Sequence, residues 1–114
     1  MTQARRALGA RGEEAVAVWY VERGYEVLAR NWRCRAGELD LVLRRGQTLV
    51  FCEVKTRSSD AFGAPVEAIT RDKQRRLRHL ATRWLEGAPM RPAGIRFDVA
   101  SVLAGEIEVL EGAF

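Results

Sequence analysis

One apolar run sets the terms for this chain: Leu49-Val50-Phe51-Cys52-Glu53-Val54-Lys55, entered through Arg45-Gly46-Gln47 and left through a polar stretch that starts at Ser58. It reads as a strand, and the alternating segment before the turn, Gly37-Glu38-Leu39-Asp40-Leu41-Val42-Leu43, reads as its hairpin partner. Leu39, Leu41 and Leu43 alternate there against Glu38 and Asp40. Strand side chains point to opposite faces in turn, so Glu53 and Lys55 share a face with Phe51 and Leu49. Register decides whether Asp40 joins them. A two-residue loop puts Asp40 opposite Phe51 and diagonal to Glu53, a four-residue loop puts it directly across from Glu53, and a three-residue loop puts the carboxylates on opposite faces.

The other elements follow in order. Ala15-Val16-Ala17-Val18-Trp19-Tyr20-Val21 is acceptable as a strand by local propensity, yet the helix formers between Ala4 and Glu14 and the stop at Gly24 favour a helix from about Ala4 to Arg23. Such a helix is apolar on nearly all sides and needs more than one partner to cover it, which a second copy of the chain could supply as a homodimer. Tyr25 to Trp32 reads as a strand. Ser58 to Pro65 reads as a loop, after which Thr70 can cap a helix to about Glu86 whose stripe is Leu77, Leu80, Ala81, Trp84 and Leu85. Lys73 continues that stripe toward the helix N-terminus, where backbone amides favour anions. Pro89 and Pro92 break the chain before Ile95–Val99 and Ile107–Leu110, a closing hairpin turned at Ala104-Gly105.

With 114 residues and 47% hydrophobic content, the chain fits one domain over residues 1–114. No run approaches the ~20 apolar residues of a membrane span and no signal-like stretch opens the chain, so a soluble cytoplasmic protein without membrane contact is expected. Cys34 and Cys52 lack CxxC spacing and read as free thiols. A net charge of +4 and a pI of about 9.7 favour a polyanionic partner. Arg71, Lys73, Arg75, Arg76, Arg78 and Arg83 crowd one segment, while Arg30, Arg33, Arg35, Arg44, Arg45 and Arg57 flank the strands. A solvated helix face with solubilising strand ends gives the same letters, as does a bias of base composition.

Only two of the 19 basic residues are lysines, Lys55 and Lys73. Lysine can lose its proton when desolvated and can orient a water, whereas arginine stays charged. Phosphodiester hydrolysis needs a cation on the phosphate, an in-line water and a group that orients or deprotonates that water. Asp40 and Glu53 could hold Mg²⁺ or Mn²⁺ with the Val54 carbonyl and waters, and Lys55 could steer the attacking water. Glu13 could add a contact if its helix crosses near the hairpin. Lys73, Arg76, Arg57, Arg33 and Arg35 are the candidate contacts to nucleic acid, DNA above all. A cross-strand salt bridge on a solvated face is the bland alternative, weakened by the apolar strand around it. His79 reads as a surface residue, and Asp98 as the partner of Arg96 or another arginine.

These residues resemble a known pattern. Asp40 followed by Glu53-Val54-Lys55 resembles the PD-(D/E)xK signature of restriction-endonuclease-like nucleases. Gly12-Glu13, Asn31-Trp32-Arg33, Gly37-Glu38-Leu39-Asp40, Glu53-Val54-Lys55-Thr56-Arg57, Phe62-Gly63, Pro65, Glu67-Ala68, Lys73-Gln74-Arg75-Arg76-Leu77 and Arg96-Phe97-Asp98-Val99 together resemble the YraN family. The resemblance implies an α/β restriction-endonuclease-like core, a mixed sheet flanked by helices in the order α-β-β-β-α-β-β, with Asp40, Glu53 and Lys55 at a nuclease site. The arrangement is similar to archaeal Holliday-junction resolvases, whose N-terminal glutamate falls at Glu13, so branched DNA is among the implied substrates. Leu39 stands where the signature has proline. Val18 and Val21 are apolar where relatives tend to be polar, which favours the dimer. Three functions are carried forward: a Mg²⁺-dependent nuclease, a non-catalytic nucleic-acid-binding module on the same scaffold, and a protein-interaction domain using the first helix.

Overall fold

The computed structural model describes residues 3–57 and 69–114. Helix α1 (Gln3–Val21) leads into strands β1 (Glu26–Cys34), β2 (Gly37–Arg45) and β3 (Thr48–Arg57); helix α2 (Arg71–Glu86) precedes β4 (Gly94–Leu103) and β5 (Glu106–Leu110). The strands form one sheet in the order β1-β2-β3-β4-β5. Neighbours are antiparallel except β3 and β4, which run parallel because α2 lies between them in the chain. This is the mixed sheet and element order that the sequence implied. The expected loop from Ser58 to Pro65, and the motif residues Phe62, Gly63, Pro65, Glu67 and Ala68, lie outside the described residues. Among the described residues no helix is long and apolar enough to cross a membrane.

The unbroken apolar stretch of β3 has a direct cause. Its central residues are buried on both faces, with α1 packed on one side and α2 on the other. On the α1 side Val16, Ala17 and Tyr20 close over Leu41, Leu43, Val50 and Cys52. On the α2 side Leu77, Leu80 and Ala81 close over Val42, Leu49 and Phe51. Full burial of a leucine such as Leu80 contributes about 2 kcal/mol. The α2 boundaries are those read from the sequence: the Thr70 hydroxyl accepts from Lys73 N at 3.2 Å, and the helix ends at Glu86.

The ambiguous apolar run at 15–21 is helical, and the sheet covers only one of its apolar faces. Val16, Ala17 and Tyr20 form a single buried face, while Val18 and Val21 are 45% and 54% exposed. Both cysteines are free, and burial pushes the Cys52 thiol well above its ordinary range.

Tyr20 also carries a polar load. Its hydroxyl donates to Asp98 Oδ2 at 2.7 Å, and Asp98 is fully buried. Arg96 grips the same carboxylate through Nε and a terminal nitrogen, both at 2.8 Å, and Gly112 N donates to Oδ1 at 3.0 Å. The expected pairing of Asp98 with Arg96 is therefore present.

At Gly12 the helix α1 touches β3. A Cβ added there would overlap the Thr56 hydroxyl, so only glycine permits this approach. Gly12→Ala is expected to cost about 1–3 kcal/mol, outweighing the gain of up to ~1 kcal/mol in helix propensity. Adding Thr56→Ala should recover part of the loss; additive losses in urea melts of the double variant would show that the contact is not the cause.

Candidate functional site

The site begins where two strands part. β2 and β3 pair from Arg45↔Thr48 to Leu41↔Cys52, after which β3 continues beside β4 as far as Arg57↔Leu103. The turn has two residues, Gly46 and Gln47, with Gly46 at φ 61° and Arg45 still in the strand. That corrects the expected registers. A two-residue loop centred one position later than assumed gives the frame assigned to a four-residue loop, in which Asp40 falls one rung beyond Leu41↔Cys52, across from Glu53. Past that last rung the Val54 N–H donates to Asp40 Oδ2 at 2.8 Å, so a carboxylate takes the place of a backbone acceptor at the fork.

The regular alternation of β2 also fails here. Leu41 and Leu43 pack on the α1 side, but Leu39 packs on the α2 side, contrary to the expectation that all three share a face. The cause lies on β1. Asn31 has φ 50°, and the ladder skips from Arg30↔Leu41 to Trp32↔Leu39, leaving out the rung between Asn31 and Asp40. Asparagine is among the few residues other than glycine that tolerate this conformation.

Electrostatics mark the fork. Asp40 is half-buried, and its pKa is pushed up to about 7, first by burial and then by the charge of Glu53, with the Val54 hydrogen bond opposing. Glu13, carried on α1 just after the Gly12 contact, is also raised by burial; a hydrogen bond to the Asn31 side chain opposes this, and Glu38 and Glu53 add to it. The three acids predicted for the site are thus electrostatic neighbours. Glu53 Oε1 lies 3.6 Å from Lys55 Nζ on the same strand and 3.7 Å from Lys73 Nζ on α2.

The basic candidates divide. Lys73 reaches Glu53 directly. Arg76 packs with Leu80 beside Gly37 at the start of β2, which sets the exposed β1–β2 turn with Arg35 close to α2. Arg33 is exposed and paired with Glu38 at 3.1 Å. Arg57 ends β3, half-buried, and His79 is exposed. Among the described residues no three histidine, cysteine or acidic side chains converge closely enough to hold a metal ion. Two carboxylates do sit together, and hard oxygen donors with Val54 beside them suit a Mg²⁺-sized ion, which commonly takes one or two carboxylates and completes its shell with waters and phosphate. Sequence reasoning named Asn31 and Thr56 only within the family motifs and gave neither a role at the site. The signals were Asn31 inside an otherwise regular strand, and Gly12 in a helix just before Glu13.

A family model described as "Uncharacterised protein family UPF0102" matches residues 12–102. The chain belongs to the UPF0102 family. A UPF0102 protein of Beutenbergia cavernae is 52% identical over 96% of this chain and 98% of its own length. One from Frankia alni is 50% identical, with 98% of each chain covered, and one from a Parafrankia species is 55% identical over 83% of this chain and 80% of its own. The UPF0102 match spans α1 from the Gly12 contact through most of β4, and so includes Glu13, Asp40, Glu53, Lys55 and Lys73. It agrees with the family likeness read from the sequence motifs.

Proposed function

We propose that this protein is a divalent-ion-dependent hydrolase of phosphodiester bonds in nucleic acid, with DNA as substrate and branched DNA among the forms to test. One observation carries the reading: at the β2–β3 fork Asp40 accepts from the Val54 N–H at 2.8 Å beside Glu53, on which Lys55 and Lys73 converge, and burial with the charge of Glu53 disfavours ionisation of Asp40, a strain that a bound cation would relieve. Asp40 and Glu53 would hold Mg²⁺ or Mn²⁺. Such an ion supplies charge neutralisation at the phosphate and a more acidic water. Lys55 orients the attacking water through its ammonium and pairs with Glu53. Glu13 acts at one remove, through the field it shares with Asp40. Arg33, Arg35, Arg57, Arg76 and Lys73 supply phosphate contacts around the acids.

A second reading is favoured by the absence of a three-ligand cluster among the described residues: a module that binds nucleic acid without cutting it. Metal dependence separates the two, and salt dependence does not. The test incubates the protein with Mg²⁺ or Mn²⁺ and linear, single-stranded, flapped and four-way DNA, beside Asp40→Ala, Glu53→Ala and Lys55→Ala. Cleavage lost in all three variants supports the hydrolase. Binding without cleavage leaves the module, and equal cleavage in all proteins points to a contaminant.

A homodimer across the exposed Val18 and Val21 belongs to the same proposal. Sedimentation should show a dimer that Val18→Glu converts to monomer; a wild-type monomer removes the idea.

A further inference from the structure

Both lysines of this chain converge on one atom. Lys55 and Lys73 stand against seventeen arginines, yet each places its ammonium within 3.7 Å of Glu53 Oε1. These separations suit ion pairs and are too long for good hydrogen bonds. Glu53 is only 9% exposed, so its charge depends on such partners.

The two lysines are not equivalent. Lys55 lies two residues along β3, in a strand fixed by its pairing with Ser101 of β4. Its base cannot leave the face that Glu53 occupies. Lys73 comes from the first turn of α2 and spans the gap from helix to strand with its side chain alone, so a change of rotamer swings it away. Along α2 the chain uses arginine at positions 71, 75, 76, 78 and 83, and keeps lysine at the position that reaches Glu53. An arginine there would hold the carboxylate through a rigid two-pronged fork, whereas an ammonium is a compact charge that lets go more readily.

We propose that Lys73 is a displaceable counter-ion of Glu53: it neutralises the carboxylate in the metal-free protein, yields to a divalent cation, and then turns to a phosphate of the incoming nucleic acid. The proposal rests on the hydrolase reading and adds an order of events. A cation on Glu53 repels both ammonium groups, and the helix-borne one is free to move outward. Lys73 is thus a positioning residue that couples two binding events. Cation and nucleic acid then tighten each other's binding by the same factor.

Calorimetric titration of Mg²⁺ into the full chain, Lys73→Gln and Lys73→Arg tests this, with melting curves to confirm that each is folded. Lys73→Gln should tighten Mg²⁺ binding by about tenfold, since the competing charge is gone, and Lys73→Arg should weaken it by a comparable factor. Affinity for a linear DNA duplex should rise with Ca²⁺ over EDTA in the wild type, and that rise should vanish in Lys73→Gln. Wild-type cation binding that neither variant alters, with duplex affinity in Lys73→Gln reduced equally in Ca²⁺ and in EDTA, makes Lys73 a plain phosphate contact and overturns the proposal. A wild type that binds neither Mg²⁺ nor Ca²⁺ in the millimolar range overturns the hydrolase reading and this proposal together.

Discussion

Asp98→Ala is expected to unfold the protein or to cost about 3–5 kcal/mol, the range for breaking a buried ion pair from one side. The carboxylate is fully buried and makes four contacts: Arg96 Nε and Gly112 N to Oδ1, and the Tyr20 hydroxyl and a second Arg96 nitrogen to Oδ2. Its loss leaves the Arg96 guanidinium, which Asp98 holds more firmly protonated than usual, with Tyr25 and the exposed Glu111 as its remaining partners. It also frees the buried Tyr20 hydroxyl beneath α1, and Gly112 loses its anchor on β4. Asp98→Asn keeps the shape without the charge and should cost less. Urea denaturation measures the difference, and a loss below about 1 kcal/mol for Asp98→Ala would show that the network contributes little.

Asp40→Asn is expected to do two opposite things. It should abolish Mg²⁺-dependent cleavage, because an amide binds a hard cation far less well than a carboxylate. It should also stabilise the metal-free protein at alkaline pH. The sign follows from linkage: Asp40 has a folded pKa raised from 3.8 to about 7, so the folded state holds its proton more tightly than the unfolded chain. The resulting stability is complete below about pH 4 and is lost as pH rises to about 7 and beyond. Asparagine can still accept the Val54 N–H and carries no charge to strain. In EDTA, wild type and Asp40→Asn should therefore melt together only below about pH 4, and the variant should melt roughly 5 °C higher at pH 8. Saturating Mg²⁺ at pH 8 should close that gap for the wild type alone. A variant that melts lower than wild type at every pH contradicts the raised pKa.

The sequence exposed these features unevenly, for physical reasons. Helix α2 was readable from the Thr70 cap to Glu86 because its stripe repeats with the helical period, and the Asp98–Arg96 pair was readable because the two residues lie on one strand face. Helix α1 was ambiguous, since seven apolar letters show no period; the sheet beneath selects Val16, Ala17 and Tyr20 as its buried face. The fork was not readable. It depends on the positive φ of Gly46, which places the β2–β3 turn, and on that of Asn31, where the β1–β2 ladder leaves out a rung and Leu39 lies on the other side of the sheet from Leu41. Lys73 was placed on the α2 stripe, toward the helix N-terminus, by its helical phase, but its contact with Glu53 requires the parallel pairing of β3 and β4, for which no short-range signal exists.

The most direct measurement is an anomalous-scattering map from crystals grown with Mn²⁺. A peak within about 2.1 Å of oxygens from both Asp40 and Glu53, beside Val54, is the expected result. A map in which manganese is absent from the β2–β3 fork, while Lys55 and Lys73 still hold Glu53, would contradict it.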